Sequence, residues 1–451
     1  MTTNRKLAER PSRICIAGLW HQAAVIAACF AEMGHTVVGV GDDADAVHKL
    51  NAASAPVREP RLDPMLRRNL KAGRLKFTTS YDEALADAEF AFLAIDTPVD
   101  DVDRPTLDVI FKAIEAIAEH RTGSLILCIT AQVPVGTSER LLEVVQRRKP
   151  GLACEVAYIP EFLRLSEAVE TFFRADRFII GAQSISVAER VADLYKPLNR
   201  PVLLVQLRSA EMSKHASNTF LATSISFVNE ISDLCEQVGA DVAEVVAGMK
   251  LDQRIGPRAF LSPGLGFAGG TLGRDIRALQ ELGETHTTGT VLLDAVAKVN
   301  QSRAEFVVRR LHRQFDSIAG LNIGVLGLTY KPGTSTLRRS IALEIIAQLV
   351  AAGSEVAAFD PLADLSNSGP LPKFDFVADV YKVASGRDAL LLLTEWTGIR
   401  ELDWHRIQAS MRQPVFIDTR NFFDPERMAE LGFVYMGVGR GAEAVVAQGA
   451  Y

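Results

Sequence analysis

Cysteine is scarce in this sequence, with Cys15, Cys29, Cys128, Cys154 and Cys235 the only five in 451 residues. No two form a C-x-x-C pair and no histidine stands at metal-ligand spacing from them. Neither a disulfide framework nor a metal site is expected; free, buried thiols in a reducing compartment are. Long hydrophobic runs are also missing. The apolar stretches are strand-sized or broken by charges, so no membrane span is expected. The polar opening, residues 1–13, has no apolar stretch of the signal-peptide kind. A cytoplasmic location is therefore expected. No basic run offsets the net charge of −6, which argues against nucleic acid as the main partner but leaves room for a local phosphate pocket.

What is present reads as an α/β protein. A chain of this length exceeds one compact core, so two or three domains are expected. Ile14–Ala17 is a short apolar run, Gly18 marks a turn, residues 23–33 have helical periodicity, and Thr36–Val40 is β-branched. Further strand signals at residues 90–95, 124–130 and 178–181 predict a parallel sheet covered on both faces. Residues 209–239 hold no proline and only a terminal glycine, which predicts one long helix. More helix is expected at 241–249 and 289–315. A second strand–helix–strand unit begins at Asn322, with strands at 323–328 and 355–359 and a helix at 340–352. The expected organisation is two Rossmann-like, doubly wound parallel-sheet domains (1–200 and 317–451) joined by a helical middle region (201–316). Phe220, Leu221, Ile225, Phe227, Val228 and Ile231 exceed what one buried face of the long helix requires, which predicts a homodimer built on it.

The first turn is a degenerate phosphate loop. A dinucleotide fold wants G-x-G-x-x-G here, because small residues let backbone and helix N-terminus approach a pyrophosphate. The sequence offers Gly18, then Trp20 at the second glycine position and Ala23 at the third. The acid expected after the second strand is displaced past Gly41 to Asp42 or Asp43, either able to reach a ribose hydroxyl after a one-residue shift. From this loop alone, NAD binding and a Rossmann-like layer that no longer holds NAD are equal readings.

Motifs further along are more specific. In order they are Asp96-Thr97-Pro98, Val133-Pro134-Val135-Gly136-Thr137, Pro160-Glu161-Phe162-Leu163-Arg164 and Glu211-x-x-Lys214-x-x-x-Asn218. Gly264-x-Gly266-Phe267-x-Gly269 with Arg274-Asp275 follows, then Gly327-Leu328-x-Tyr330-Lys331-Pro332-Gly333, Arg338, Thr394-Glu395-Trp396 and Asp418-x-Arg420-Asn421. Together they resemble the UDP-glucose/GDP-mannose dehydrogenase family, over roughly residues 10–440 by eye. The resemblance implies two successive NAD-dependent oxidations of a sugar C6 alcohol, through an aldehyde, to a uronic acid. In that chemistry a cysteine thiolate adds to the aldehyde and a thioester is hydrolysed. It implies Lys214 and Asn218 as stabilisers of the oxygen that gains charge, with Asp275 assisting water or proton transfer and Glu161 in acid/base work. Gly18, Trp20, Ala23, Asp42, Thr97, Pro98 and Arg338 are its candidate cofactor contacts. A UDP-sugar would meet Phe162, Leu163, Arg164, Arg254, Phe260, Gly266, Lys331 and Arg420.

The nucleophile is missing. With Asp275 and Gly266-Phe267 in register, the cysteine of the family's G-G-S-C-F-P-K-D run falls on Thr271, and residues 262–273 contain no cysteine. A threonine hydroxyl has no accessible anion at neutral pH, whereas a free thiol near pKa 8.5 is already a few per cent thiolate. Thr271 is read as a hydrogen-bonding or loop-stabilising residue. Two more departures are Gln132, at the threonine of the family's S-T-V-P, and Leu165, at the second glutamate after P-E-F-L. Plain readings stand beside the functional ones. Asp275 is expected as a cap for a helix near Ile276, and Glu161 as a turn residue. The expected activity is hydride transfer on a UDP-sugar without the thioester stage. A catalytically silent protein that binds a sugar nucleotide or a partner is the alternative.

Overall fold

The computed structural model describes residues 10–97, 106–268, 270–367 and 370–440. The chain divides into two compact units, Met1–Ser217 and Asn218–Tyr451, with the boundary inside one continuous helix, Leu207–Val238.

In the first unit eight strands form one sheet. They are β1 (Arg13–Ala17), β2 (Thr36–Val40), β3 (Leu75–Thr78), β4 (Phe90–Leu93), β5 (Leu125–Ile129), β6 (Cys154–Tyr158), β7 (Phe178–Ala182) and β8 (Val202–Gln206), in the order β3-β2-β1-β4-β5-β6-β7-β8. Both faces are buried along β1, β4 and β5, as their unbroken apolar runs require, while β8 at the sheet edge is largely exposed. On β1, Ile14 and Ile16 enter one core while Cys15 and Ala17 enter the other. The strand order reverses between β1 and β4, so the crevice for a ligand lies at their carboxyl ends. The all-parallel expectation fails at one place: β6 and β7 pair antiparallel, and β8 follows β7. The reason lies in the connection, residues 159–177. Its one short helix, Ala168–Phe173, packs Ala168, Val169 and Phe172 into the core beside the first helix, His21–Glu32, and antiparallel neighbours need no crossover.

The second unit holds a six-stranded parallel sheet, ordered β11-β10-β9-β12-β13-β14. Its strands are β9 (Asn322–Leu326), β10 (Glu355–Phe359), β11 (Asp375–Phe376), β12 (Ala389–Leu392), β13 (Val415–Asp418) and β14 (Val434–Gly437). Ahead of the sheet comes the helical region. The helix expected over 289–315 is in fact two, Val291–Ser302 and Glu305–Gln314. Between them Arg303 turns inward and is 1% exposed. Its guanidinium pairs with Asp233 at 2.8 Å and donates from Nε to Gly264 O at 3.1 Å. Among the described residues, no helix is long and apolar enough to cross a membrane.

Phe30, on the first helix, is fully buried against Phe92, Phe172 and Tyr195, with ring centroids 5.0–5.6 Å away. Phe30→Ala is expected to cost about 3–5 kcal/mol, read from urea denaturation followed by far-UV circular dichroism. A loss under roughly 1 kcal/mol would show that the cluster closes around the void.

Candidate active site

The turn after β1 has the geometry of a dinucleotide cradle. Gly18 sits at φ +132°, and a Cβ there would lie 2.6 Å from Ala94 O, so only glycine fits. The helix His21–Glu32 starts directly behind it. Trp20 occupies the cap position without a side-chain cap bond, which leaves the first-turn N–H groups for an anion. Ala23 is buried at the helix–sheet contact, where a small residue is needed. Trp20 is 52% exposed at the second glycine position. Of the two acids after β2, Asp43 is engaged in capping the next helix, accepting from Asp45 and Ala46 N–H, while Asp42 is exposed. Thr97 is buried and donates to Gln132 O at 3.0 Å; Pro98 lies outside the described residues. These features fit NAD.

Glu59, which the motif reading passed over, joins this turn to a second loop. Its side chain is fully buried. One oxygen lies 2.8 Å from His21 Nε2, and the carboxylate accepts the N–H groups of Ser166 and Ala168 at 2.9 Å each. Two non-glycine residues beside it hold positive φ, Arg61 at 72° and Ser166 at 70°. Each such residue costs on the order of 1 kcal/mol and persists only where its surroundings over-determine it.

The loop from Pro160 to Glu167 carries the P-E-F-L-R motif. Glu161 accepts from Leu163 N–H at 2.7 Å, so it does shape a turn, and its other oxygen lies 3.6 Å from Lys214 Nζ. Lys214 is 4% exposed, donates to Glu161 O, and lies 4.9 Å from the centre of the Phe162 ring. Arg177 approaches the same ring at 4.7 Å. Arg164 is exposed, with Glu167 3.8 Å away. Glu211, one turn before Lys214, is structural: fully buried, it accepts from Gly136 N–H, Ser138 N–H and Ser138 Oγ and so anchors the helix Thr137–Arg148.

In the second unit, Asn218 donates from Nδ2 to Asp275, and both are buried. Asp275 is not the helix cap expected of it. Thr271 holds the cap position of the helix Leu272–Thr285, Asp275 lies in its first turn, and its N–H donates to Thr271 O at 3.1 Å. A cap side chain accepts from N–H groups at the helix start, whereas this carboxylate is turned inward to Asn218. Thr271 is exposed. The glycine-rich stretch before it is pinned from below. Asn229 Oδ1 accepts from Gly264 N–H at 2.8 Å, and Asn300 bonds both N–H and C=O of Phe267. A Cβ on Gly266, at φ +83°, would collide with that Asn300 amide.

The remaining candidates scatter over this unit. Arg254 is exposed and paired with Asp252 at 2.6 Å, and Phe260 is half exposed. Lys331 is partly buried and Arg338 exposed, both in the segment after β9. Arg420 donates to Leu393 O at 2.9 Å and pairs with Glu395 at 3.2 Å.

A glycine turn at the switch point of a doubly wound sheet, with a small residue at the helix–sheet contact, is the arrangement of a dinucleotide-binding domain. Sequence comparison narrows this. The chain matches the NAD binding domain of the UDP-glucose/GDP-mannose dehydrogenase family over residues 12–199, its central domain over 208–302 and its UDP binding domain over 324–425. It is 38% identical to a UDP-glucose 6-dehydrogenase of Pseudomonas aeruginosa over 442 residues, covering 95% of this chain and 97% of that one. With the UDP-glucose 6-dehydrogenase TuaD of Bacillus subtilis it shares 35% identity, covering 95% and 94%. A solved UDP-glucose dehydrogenase from Pyrobaculum islandicum superposes with a TM-score of 0.87 at 31% identity, covering 96% and 98%. The chain belongs to the UDP-glucose/GDP-mannose dehydrogenase family and is an NAD-dependent nucleotide-sugar oxidoreductase.

None of Cys15, Cys128, Cys154 and Cys235 sits in an environment that lowers its pKa. Four of the five free cysteines are buried, and Cys154 is partly so. Burial pushes the Cys15 thiol up to about 12, Cys154 to about 11 and Cys128 well above its usual value, and Cys235 is raised for the same reason. A raised pKa leaves the thiol protonated at neutral pH, with the thiolate appearing only as pH climbs. Native protein treated with iodoacetamide at about pH 7.5 is expected to gain no adduct by intact mass, and Cys154 alkylation should rise roughly tenfold per pH unit. Rapid labelling at neutral pH would reveal an activated thiol and refute this.

Proposed function

We propose that this oxidoreductase takes a UDP-sugar through a single two-electron step, alcohol to aldehyde, without a covalent thioester. Threonine at position 271 carries the proposal, since a hydroxyl with no anion at neutral pH cannot trap the aldehyde for a second oxidation. UDP-glucose is the first substrate to test, because the relatives named above are UDP-glucose dehydrogenases. In this reading residues 1–200 hold NAD, 201–316 carry catalysis and dimerisation, and 317–451 hold the nucleotide.

NAD, when bound, supplies the hydride acceptor. Gly18, the start of the first helix and Asp42 would hold it, with Thr97 beside them. Lys214 and Asn218 stand one turn apart on the long helix, the spacing that puts two side chains on one face. Lys214 presents an ammonium, and Asn218 an amide oriented by Asp275, to the C6 oxygen as it gains negative charge. Glu161 holds Lys214 in place and takes the proton that leaves the hydroxyl. The balance is one alcohol and one NAD consumed, with one aldehyde, one NADH and one proton formed.

Incubation with NAD and UDP-glucose is expected to give at most one NADH per sugar, an aldehyde that hydroxylamine traps, and no change in protein mass. Lys214→Ala should lower the rate by about 10²–10³-fold. Uronic acid with two NADH per sugar would overturn the proposal. Absence of any NADH would favour the silent binder.

The same reading includes a homodimer. Phe220, Phe227, Leu234 and Val238 are 46–77% exposed and form one stripe at seven- and four-residue spacing along the long helix. Val291 and Leu292, on a neighbouring helix of the same unit, are exposed too. A cytoplasmic location agrees with five unpaired thiols. Sedimentation at micromolar concentration should show a dimer, and Phe227→Asp should shift it at least tenfold toward monomer. A monomer in the wild type would remove the dimer from the proposal.

A further inference from the structure

His21 sits between the glycine turn after β1 and the loop that carries Glu161, the two elements that hold cofactor and substrate in the proposed function. It is the first residue of the helix behind the cofactor turn, next to Trp20, and its side chain is 13% exposed. Through Nε2 it reaches Glu59, whose carboxylate grips Ser166 and Ala168. The stretch so gripped is the far end of the loop that begins at Pro160 and presents Glu161 and Phe162 to Lys214. Among the described residues, His21 is the side chain of the 18–22 turn that hydrogen-bonds Glu59. Gln22, the next residue along, is turned instead to Thr130 O at 3.1 Å, in the loop after β5.

We infer that His21 is a positioning residue which, through Glu59, couples the cofactor turn to the loop that orients Glu161 and Lys214. The inference rests on the reading of these two loops as cofactor and substrate elements. Three observations carry it. The anchor is buried and makes three hydrogen bonds, one to the cofactor side and two to the substrate side, so neither loop shifts without disturbing the other. Ser166, a direct partner of the carboxylate, is held in a left-handed backbone conformation that relaxes when its restraint weakens. Arg61, two residues from Glu59 in the chain, shares that conformation, and Leu62 N–H donates to Glu59 O at 3.2 Å, so the anchor is itself held in a constrained turn. A cofactor that settles on the turn fixes His21, His21 fixes Glu59, and Glu59 fixes the loop. By reciprocity, a sugar nucleotide that orders the loop strengthens cofactor binding by the same factor.

Hydrogen exchange on the full-length protein tests this, with and without NAD. In the ligand-free state His21→Phe should speed exchange in peptides spanning 161–168 about tenfold, while peptides from β6 stay as in the wild type. His21→Gln, whose amide can still donate to Glu59, should restore slow exchange. With NAD present, wild type and His21→Gln should gain protection at both 18–25 and 161–168, and His21→Phe at 18–25 alone. His21→Asn, too short to reach the carboxylate, serves in its place should the phenylalanine variant misfold. Unchanged exchange at 161–168 in these variants overturns the inference, as does NAD protection of that loop surviving the loss of the histidine. Protection confined to 18–25 in the wild type sinks the inference and spares the cofactor assignment. Protection at neither peptide sinks both.

Discussion

Loops that leave the carboxyl edge of a parallel sheet carry backbone N–H groups with no ladder to join, and a buried one without an acceptor is costly. Four buried carboxylates meet that constraint here. Glu59 takes the N–H groups of Ser166 and Ala168; Glu211 takes those of Gly136 and Ser138. Asp360 accepts from Leu328, Thr329, Leu362 and Ala363, and Asp418 from Arg420, Phe422 and Phe423. Charge-assisted bonds of this kind are short and strong, and each fixes a loop that the sheet alone would leave loose. Burial raises the pKa of Asp418, against the pull of its backbone donors and Tyr435.

The second unit shows how such an anchor sets function. In a dinucleotide fold the acid after the second strand waits for a ribose. Asp360 holds that position after β10, yet its carboxylate is spent on the turn after β9 and on the Trp396 indole N–H at 3.1 Å. In the first unit the equivalent segment keeps Asp42 exposed, with only Asp43 committed to a helix cap. Two sheets of similar winding therefore differ in what their second strand leaves available.

Most of the fold was legible because its signals are local. Ile14–Ala17 and Asn322–Leu326 declare themselves by apolar content and a following glycine, and the long helix by an uninterrupted run without proline. The direction of β7 was not legible, since nothing within residues 178–182 says which way a strand enters a sheet. Nor was the break at Arg303: an arginine in a helical pattern reads as surface, and only the distant Asp233 and Gly264 draw it inside. The site divides the same way. The turn made by Glu161 was legible from its place after Pro160, whereas the inward turn of Asp275 and the bonds of Glu59 depend on partners tens of residues away, where spacing carries no information.

The exposed indole of Trp20 has an optical consequence. Only three tryptophans occur in the chain. Trp404 is buried and Trp396 partly so, both in the second unit, which leaves Trp20 alone in the first and more than half exposed. The red-shifted part of the intrinsic emission thus originates beside the dinucleotide turn, and the protein carries a native fluorophore that reads that turn without any label.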